Sequence, residues 1–233
     1  PLIAFVWAIV VQKLFNFLFL KYFLNEKIFS NPLKINLKVN IQYIQPLIKQ
    51  RLPLLCSAAS ITIFSKIDQV MLGNLLSVES VGIYAVVIKL FQPWVFIPTI
   101  FLQSLYPILV RSYNHSLKDF HQKSKKAFCI LFYASIPIIL ITINFSDLIV
   151  VKLFSKQFLQ SSPILRVHII NLTFLFWLNF TTRYEIISGI ARYTMYKTII
   201  TGILNIFLNY YFIQKYGVIG ASYATLVSFI CVG

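Results

Sequence analysis

Charged side chains lie deep within two strongly apolar stretches of the sequence. The stretch SKIDQVMLGN places Lys66 and Asp68 in a predicted helix over 52–76. Lys89 lies in the next predicted helix, over 81–110, and the short turn between the two helices makes them antiparallel neighbours. At a rise of 1.5 Å per residue, Lys66 lies about 15 Å and Lys89 about 12 Å from the ends that the two helices share. The three charges can therefore share one depth.

The free-energy cost of placing these charges in a bilayer is compatible with two arrangements of Lys66, Asp68 and Lys89. A charge near the membrane centre costs about 2.5–3.5 kcal/mol on insertion scales, so such groups face the bundle interior, pair with one another or line water. Asp68 can neutralise only one lysine, and the surplus charge of Lys66 and Lys89 predicts a cavity wall that attracts anions. The alternative is a salt bridge that only joins the two helices.

Two further apolar segments carry polar side chains. Lys13 lies near the centre of the segment 2–24 and is a third intramembrane base. In the segment 198–213, Asn205 and Asn209 are one helical turn apart and form a polar stripe. Such residues commonly hydrogen-bond to neighbouring membrane helices, which is the favoured interpretation here. The alternative is that they line the cavity.

Prolines interrupt the long third segment. Pro93 and Pro98 lie inside it, and prolines are tolerated in membrane helices because neighbouring helices satisfy the carbonyl groups that they free. The kinks that they make recur in helices that move, so one hypothesis assigns Pro93 and Pro98 to gating. The other is the ordinary enrichment of proline in membrane helices.

Composition sets the fold class. Hydrophobic residues make up 58% and charged residues 12% of the 233-residue chain, which is too little polar surface for a soluble domain. We therefore expect an all-α, polytopic transmembrane helix bundle with about seven helices. Both termini fall in apolar runs, and we expect the chain to be a fragment of a longer transporter. The predicted spanning segments are 2–24, 52–76, 81–110, 127–146, 163–182, 198–213 and 217–233.

The distribution of basic residues predicts orientation. Lysine and arginine concentrate in the first, third and fifth connections, over 25–51, 111–126 and 183–197, whereas the second has none. By the positive-inside rule these connections face the cytoplasm. Most of the net charge of +15 therefore reflects topology and not nucleic-acid binding. The mixed stretch 148–165 predicts an amphipathic helix at the outer interface.

Motifs for catalysis are absent from the sequence. It has no GxxxxGK[ST], GxSxG or HExxH pattern, and its cysteines and histidines lack metal-ligand spacing. We expect no enzyme activity, no cofactor and no metal site. Without a nucleotide site, an ion gradient or downstream consumption of the product is left as the energy source.

Two stretches resemble a known family. RLPLLCSAASITIFSKIDQVML followed by GNLLSVESVGIYAVVIKLFQPWVFIP, and NIFLNYYFIQKYGVIGASYATLVSFI near the end, are similar to bacterial O-antigen and polysaccharide flippases of the multidrug/oligosaccharidyl-lipid/polysaccharide exporter superfamily. The resemblance implies a two-lobed bundle of about twelve helices in the bacterial inner membrane. It also implies transport of a polyprenyl-diphosphate-linked oligosaccharide through a central cavity.

On this resemblance the chain divides into three parts. Residues 1–24 are the last helix of the N-terminal lobe, 25–51 a basic cytoplasmic loop between lobes, and 52–233 an incomplete C-terminal lobe. The family attracts the diphosphate with basic cavity residues. The expected substrate-binding and translocation residues are Lys66, Asp68, Lys89, Lys13, Asn205 and Asn209, with Asp68 tuning the local charge. The expected partners are the lipid-linked substrate, membrane lipids and other polysaccharide-assembly proteins.

The resemblance implies arginine in many relatives where this chain has Lys66 and Lys89. Lysine keeps the positive charge but loses the bidentate fork for phosphate. Three other functions stay open. A cation-coupled exporter of the same superfamily predicts an acidic cavity, and a membrane polymerase or ligase predicts a long extracytoplasmic loop. A purely structural membrane subunit has no need of buried lysines.

Overall fold

The computed structural model describes residues 11–19 and 41–232, with side chains over 11–19 and 52–231. The chain divides into two units, residues 1–47 and 48–233. In the first unit, residues 11–19 are helical, and the rings of Phe15 and Phe19 stack 6.4 Å apart. Most of the predicted segment 2–24 and of the loop 25–51 lies outside the described residues, so the division into lobes stays a prediction.

The predicted all-α fold is confirmed: the described residues form helices joined by short turns and contain no strand. Within the residues that the structure describes, four helical stretches are long and apolar enough to cross a bilayer, and they make the chain a multi-pass membrane protein. These stretches are Leu52–Leu75, Val78–His115, Leu117–Phe154 and Ser161–Ile187. From Ile41 onward the helices are α1 (Ile41–Leu75), α2 (Val78–Phe91), α3 (Phe96–His115), α4 (Leu117–Phe154), α5 (Ser161–His168), α6 (Asn171–Ile187), α7 (Ala191–Tyr216) and α8 (Val218–Val232).

The long third segment is broken where its prolines begin. A 3-10 turn over Gln92–Val95 separates α2 from α3, with Pro93 at its start. Proline lacks a backbone N–H and fits the first turn of a helix, where that group has no intrahelical partner. Pro98 is buried in the first turn of α3, whereas Pro93 is exposed. The interruption is confirmed, and its use in gating stays a prediction.

The predicted interfacial helix over 148–165 is wrong. α4 continues to Phe154, through Pro137. The backbone then turns at Ser155, which has a φ of +84°, and forms a short 3-10 turn over Lys156–Phe158 before α5 begins at Ser161. The polar residues of this stretch therefore belong to a tight turn between two spans, and not to one helix lying on the membrane.

The core of the second unit is built around α2, α5 and the α7–α8 pair. The side chains of Leu72, Tyr84, Leu165 and Ile213 are fully buried in one hydrophobic cluster, and a second cluster joins α3, α4 and α6. α7 and α8 pack along each other because Gly220 allows close approach. A Cβ atom at Gly220 would lie 2.1 Å from the carbonyl oxygen of Phe212.

Candidate functional site

Asp68 is buried, and three other helices donate hydrogen bonds to its carboxylate. Tyr84 Oη of α2 donates to Asp68 Oδ2 at 2.9 Å, and Asn209 Nδ2 of α7 donates to Oδ1 at 2.7 Å. Thr225 Oγ1 of α8 lies 3.1 Å from Oδ2. We call Asp68, Tyr84, Asn205, Asn209 and Thr225 the Asp68 cluster.

The helix geometry explains why these side chains meet. Asp68, Asn209 and Thr225 each lie seven residues from the turn that ends or begins their helix, which is about 10 Å at 1.5 Å per residue. They therefore share one depth. On α1, Asp68 and Leu72 are one turn apart and both are buried, whereas nearly all other side chains from Leu52 to the end of this helix are at least partly exposed. The carboxylate is thus the main polar link between α1 and the rest of the unit.

Two polar atoms of the cluster have no partner. Asn209 Nδ2 also donates to Asn205 Oδ1 at 2.9 Å, so both hydrogens of this amide are used and its orientation is determined. Asn205 Nδ2 and Asn209 Oδ1 are buried without a hydrogen bond. Because buried polar atoms are nearly always bonded, such atoms call for an explanation, for example an ion or water at the site.

The cluster contains the oxygen atoms that a small cation requires. The single hydrogen of the Thr225 hydroxyl can go to Asp68 or to the Ala221 carbonyl, 3.0 Å away, which leaves oxygen lone pairs available. Carboxylate, amide, hydroxyl and carbonyl oxygens suit hard cations. A lone carboxylate in an apolar interior balances one positive charge, so the set fits a proton or a monovalent cation. Within the described part no group of three His, Cys, Asp or Glu side chains could hold a metal.

The polar network continues beyond the Asp68 cluster. His168 Nδ1 lies 3.2 Å from Ser222 Oγ, and the ring of His168 packs edge-on against the ring of Tyr84 with centroids 5.7 Å apart. Asn171 Nδ2 lies 3.5 Å from His168 Nδ1. Buried polar groups therefore continue from Tyr84 to His168, Ser222 and Asn171.

Lys66 and Lys89 lie away from the carboxylate. Both side chains are exposed, and the ion pairs and hydrogen bonds of the described residues do not include either amine. Residues two apart on a helix are separated by about 200° around its axis, so Lys66 points to the side of α1 opposite Asp68. The expected neutralisation of a lysine by Asp68 is therefore wrong, and so is the inter-helix salt bridge.

The remaining predicted site residues divide by environment. Asn205 and Asn209 are fully buried, and Asn209 bonds to another helix, as the favoured interpretation of the polar stripe expects. Lys13 is exposed on the helical residues 11–19 and belongs to the first unit. The sequence pattern did not indicate Tyr84 and Thr225, because a lone hydroxyl in an apolar helix is also common in ordinary helix packing.

A second polar cluster joins α6 and α7. Lys197 Nζ lies 2.5 Å from Glu185 Oε1 and donates to Thr181 Oγ1 at 3.0 Å. Thr194 Oγ1 donates to Glu185 Oε2 at 2.5 Å. The side chains of Lys197 and Glu185 are 4% and 7% exposed. The sequence placed both charges in the connection 183–197, but they form a buried ion pair within the helices.

Comparison with known proteins assigns the chain to a family. A family described as polysaccharide biosynthesis protein matches residues 2–163. The chain belongs to this family. No curated protein sequence matches the chain.

Solved structures of low sequence identity share the fold. A MATE protein in its straight conformation is 17% identical with a TM-score of 0.71, over 79% of this chain. A MOP superfamily transporter from Pyrococcus furiosus is 20% identical with a TM-score of 0.65, also over 79% of this chain. The lipid II flippase MurJ in an inward closed conformation is 20% identical with a TM-score of 0.62, over 82%. The chain spans 42% of the length of each and has the helical fold of MOP superfamily transporters.

Proposed function

We propose that this member of the polysaccharide biosynthesis family is part of a flippase. Its cargo is a polyprenyl-diphosphate-linked oligosaccharide such as an O-antigen repeat unit, which it moves across the bacterial inner membrane. The family description and the fold shared with a lipid II flippase support a lipid-linked sugar as cargo. Other polysaccharide-assembly proteins are the expected partners.

The observation that carries the proposal is that the amines of Lys66 and Lys89, on the membrane-spanning stretches, have no ion-pair or hydrogen-bond partner among the described residues. Lys66 is nine residues from the end of α1, and Lys89 is eleven residues from the start of α2, which puts them about 14 Å and 17 Å into the span. Exposed ammonium groups at this depth are too costly in acyl chains. They are accommodated if they line an aqueous cavity. There they attract the diphosphate.

The charge of the exposed groups argues against the main rival. An exporter of cationic cargo needs acidic groups that face its cavity. In the described spans, Asp68 and Glu185 are sealed inside the helix bundle by hydrogen bonds, and the exposed carboxylate of Asp147 is paired with an arginine. Lys66 and Lys89 are exposed and have no such partner among the described residues. The unpaired accessible charge at mid-span is therefore positive, which favours an anionic cargo.

The Asp68 cluster supplies the means of coupling in this proposal. Asp68 holds α1 to α2, α7 and α8 through Tyr84, Asn209 and Thr225. Binding of a proton or monovalent cation changes the charge of the carboxylate and so the strength of these hydrogen bonds. Because α1 also carries Lys66, the change is transmitted to the cavity wall. Pro93, at the break between α2 and α3, provides a hinge for the neighbouring span.

The test replaces Lys66 and Lys89 with glutamine, singly and together, in the full-length protein. Each lost charge-assisted contact is worth about 1.5–3 kcal/mol, which is about a 10- to 100-fold loss of affinity. We expect reduced surface polysaccharide and reduced flipping of lipid-linked oligosaccharide in proteoliposomes, with the protein level unchanged. Lys152→Gln is the matched control, because Lys152 is exposed in the last turn of α4. Wild-type flipping by the double variant would refute the proposal.

A further inference from the structure

A groove lies beside the end of α3, on the side of the bundle that the third connection predicts to be cytoplasmic. Its volume is about 630 Å³, and it is a shallow groove that is widely open along one side. Tyr106, Pro107 and Val110 form its wall at the membrane side, and the polar residues lie nearer the helix end at His115. The lining residues are Tyr106, Pro107, Val110, Arg111, Asn114 and His115.

Arg111 provides free hydrogen-bond donors to this groove. Its side chain is exposed, and within the described part its guanidinium forms neither a hydrogen bond nor an ion pair. The lining contains no carboxylate. An adjacent groove shares Arg111 but includes Asp119, and Lys123 Nζ already binds that carboxylate at 2.7 Å. The guanidinium is therefore left for an anion from outside the chain.

The surroundings indicate which anion. The first turns of α4, next to the groove, carry exposed lysines at Lys118, Lys125 and Lys126. Basic residues at the cytoplasmic membrane surface attract anionic lipids, and a guanidinium binds a phosphate through two parallel hydrogen bonds. The lining of the groove is apolar toward the membrane and polar at the end of the helix. This distribution matches a molecule with an acyl chain and a charged headgroup.

We propose that this groove binds the phosphate headgroup of an anionic phospholipid. Arg111 holds the phosphate, Asn114 adds a polar contact, and an acyl chain lies along Tyr106, Pro107 and Val110. One arginine matches a single phosphate better than the diphosphate of the carrier lipid. The site is separate from Lys66, Lys89 and the Asp68 cluster, so it does not depend on the proposed function.

The test uses the purified full-length protein in phosphatidylcholine nanodiscs with increasing phosphatidylglycerol. We expect phosphatidylglycerol to raise the melting temperature and to remain bound in native mass spectrometry. Arg111→Gln should weaken this binding about tenfold or more, and Arg111→Lys should restore part of it. Lys152→Gln is the matched control, since Lys152 is an exposed base at the other end of α4 and outside the groove, and it should bind as the wild type does.

Three outcomes would overturn the proposal. In the first, Arg111→Gln binds phosphatidylglycerol as tightly as the wild type. In the second, inorganic phosphate protects the protein as well as the lipid does, which assigns the groove to a free anion. In the third, a polyprenyl diphosphate displaces phosphatidylglycerol at equal concentration, which assigns it to the carrier lipid. Flipping activity is measured in parallel, so a failure here is distinguished from a failure of the flippase proposal.

Discussion

Replacing Asp68 with asparagine separates the charge of this residue from its hydrogen bonds. Asparagine keeps an acceptor for Asn209, and its amide group faces the hydroxyls of Tyr84 and Thr225, each of which can accept. The polar atoms stay bonded, so we expect a folded protein of near wild-type stability. Alanine instead leaves the buried donors of Tyr84 and Asn209 without this acceptor, at about 1–3 kcal/mol each, or about 2–6 kcal/mol in total, whereas Thr225 can still donate to the Ala221 carbonyl. That is a large part of the usual stability of a protein.

The assay is thermal unfolding of the purified full-length protein at several pH values and in sodium, potassium or choline salts. An ion that binds only the folded state stabilises it by about 2.7 kcal/mol at a concentration 100 times its dissociation constant. We expect such an ion-dependent or proton-dependent shift in the wild type and none in Asp68→Asn. Flipping by Asp68→Asn should also lose its dependence on the ion gradient.

Asp147→Asn is the matched control for the loss of a carboxylate. The side chain of Asp147 is 59% exposed and pairs with Arg166 at 2.7 Å. An exposed pair of this kind contributes at most about 1 kcal/mol, so this variant should keep the ion-dependent shift. The coupling hypothesis is wrong if Asp68→Asn retains the shift of the wild type. The account of the hydrogen bonds is wrong if Asp68→Asn unfolds as readily as Asp68→Ala.

The buried ion pair and the close helix contact give two further predictions, both measured as melting temperatures. Lys197→Met should lower the free energy of unfolding by about 3–5 kcal/mol, because it leaves the charge of Glu185 buried and unpaired. Adding Glu185→Gln should recover part of this stability. The prediction is wrong if the effects of the two substitutions are additive in the double variant. Gly220→Ala should destabilise the α7–α8 pair, because the new Cβ meets the backbone of Phe212 at 2.1 Å. Gly202→Ala, with no atom within 4 Å of its Cβ, is the control and should stabilise α7 by up to about 1 kcal/mol through helix propensity.

Local patterns predicted the elements of the fold well. Apolar runs of spanning length predicted the helices, because a helix satisfies its backbone hydrogen bonds within one segment. The break near Pro93 followed from the missing N–H of proline. The placement of Asp68 at depth, and of Asn205 and Asn209 on one face, followed from the rise and the period of the α-helix.

The hydrogen bonds that join the site residues could not be predicted in the same way. Asp68 binds Tyr84, Asn209 and Thr225, which are 16, 141 and 157 residues away along the chain. Such contacts depend on which helices are neighbours and how each is rotated about its axis, and neither quantity is contained in a single segment. The predicted pairing of Asp68 with Lys66 was wrong for a local reason, because residues two apart lie about 200° apart around one helix. The predicted pairing with Lys89 instead depended on how α2 is rotated about its axis.

Hydropathy and helical rise are local properties of the sequence, and they were sufficient to predict a helical, multi-pass membrane protein with charges at mid-span. How those charges interact depends on the packing of distant helices. In the folded protein, Asp68 is buried among hydroxyl and amide groups. Glu185 and Lys197, which were predicted to lie in a loop, form a buried ion pair. Lys66 and Lys89 are exposed. The physical reason is that a buried charge must find its partner in space, and packing between distant helices sets which partner is within reach.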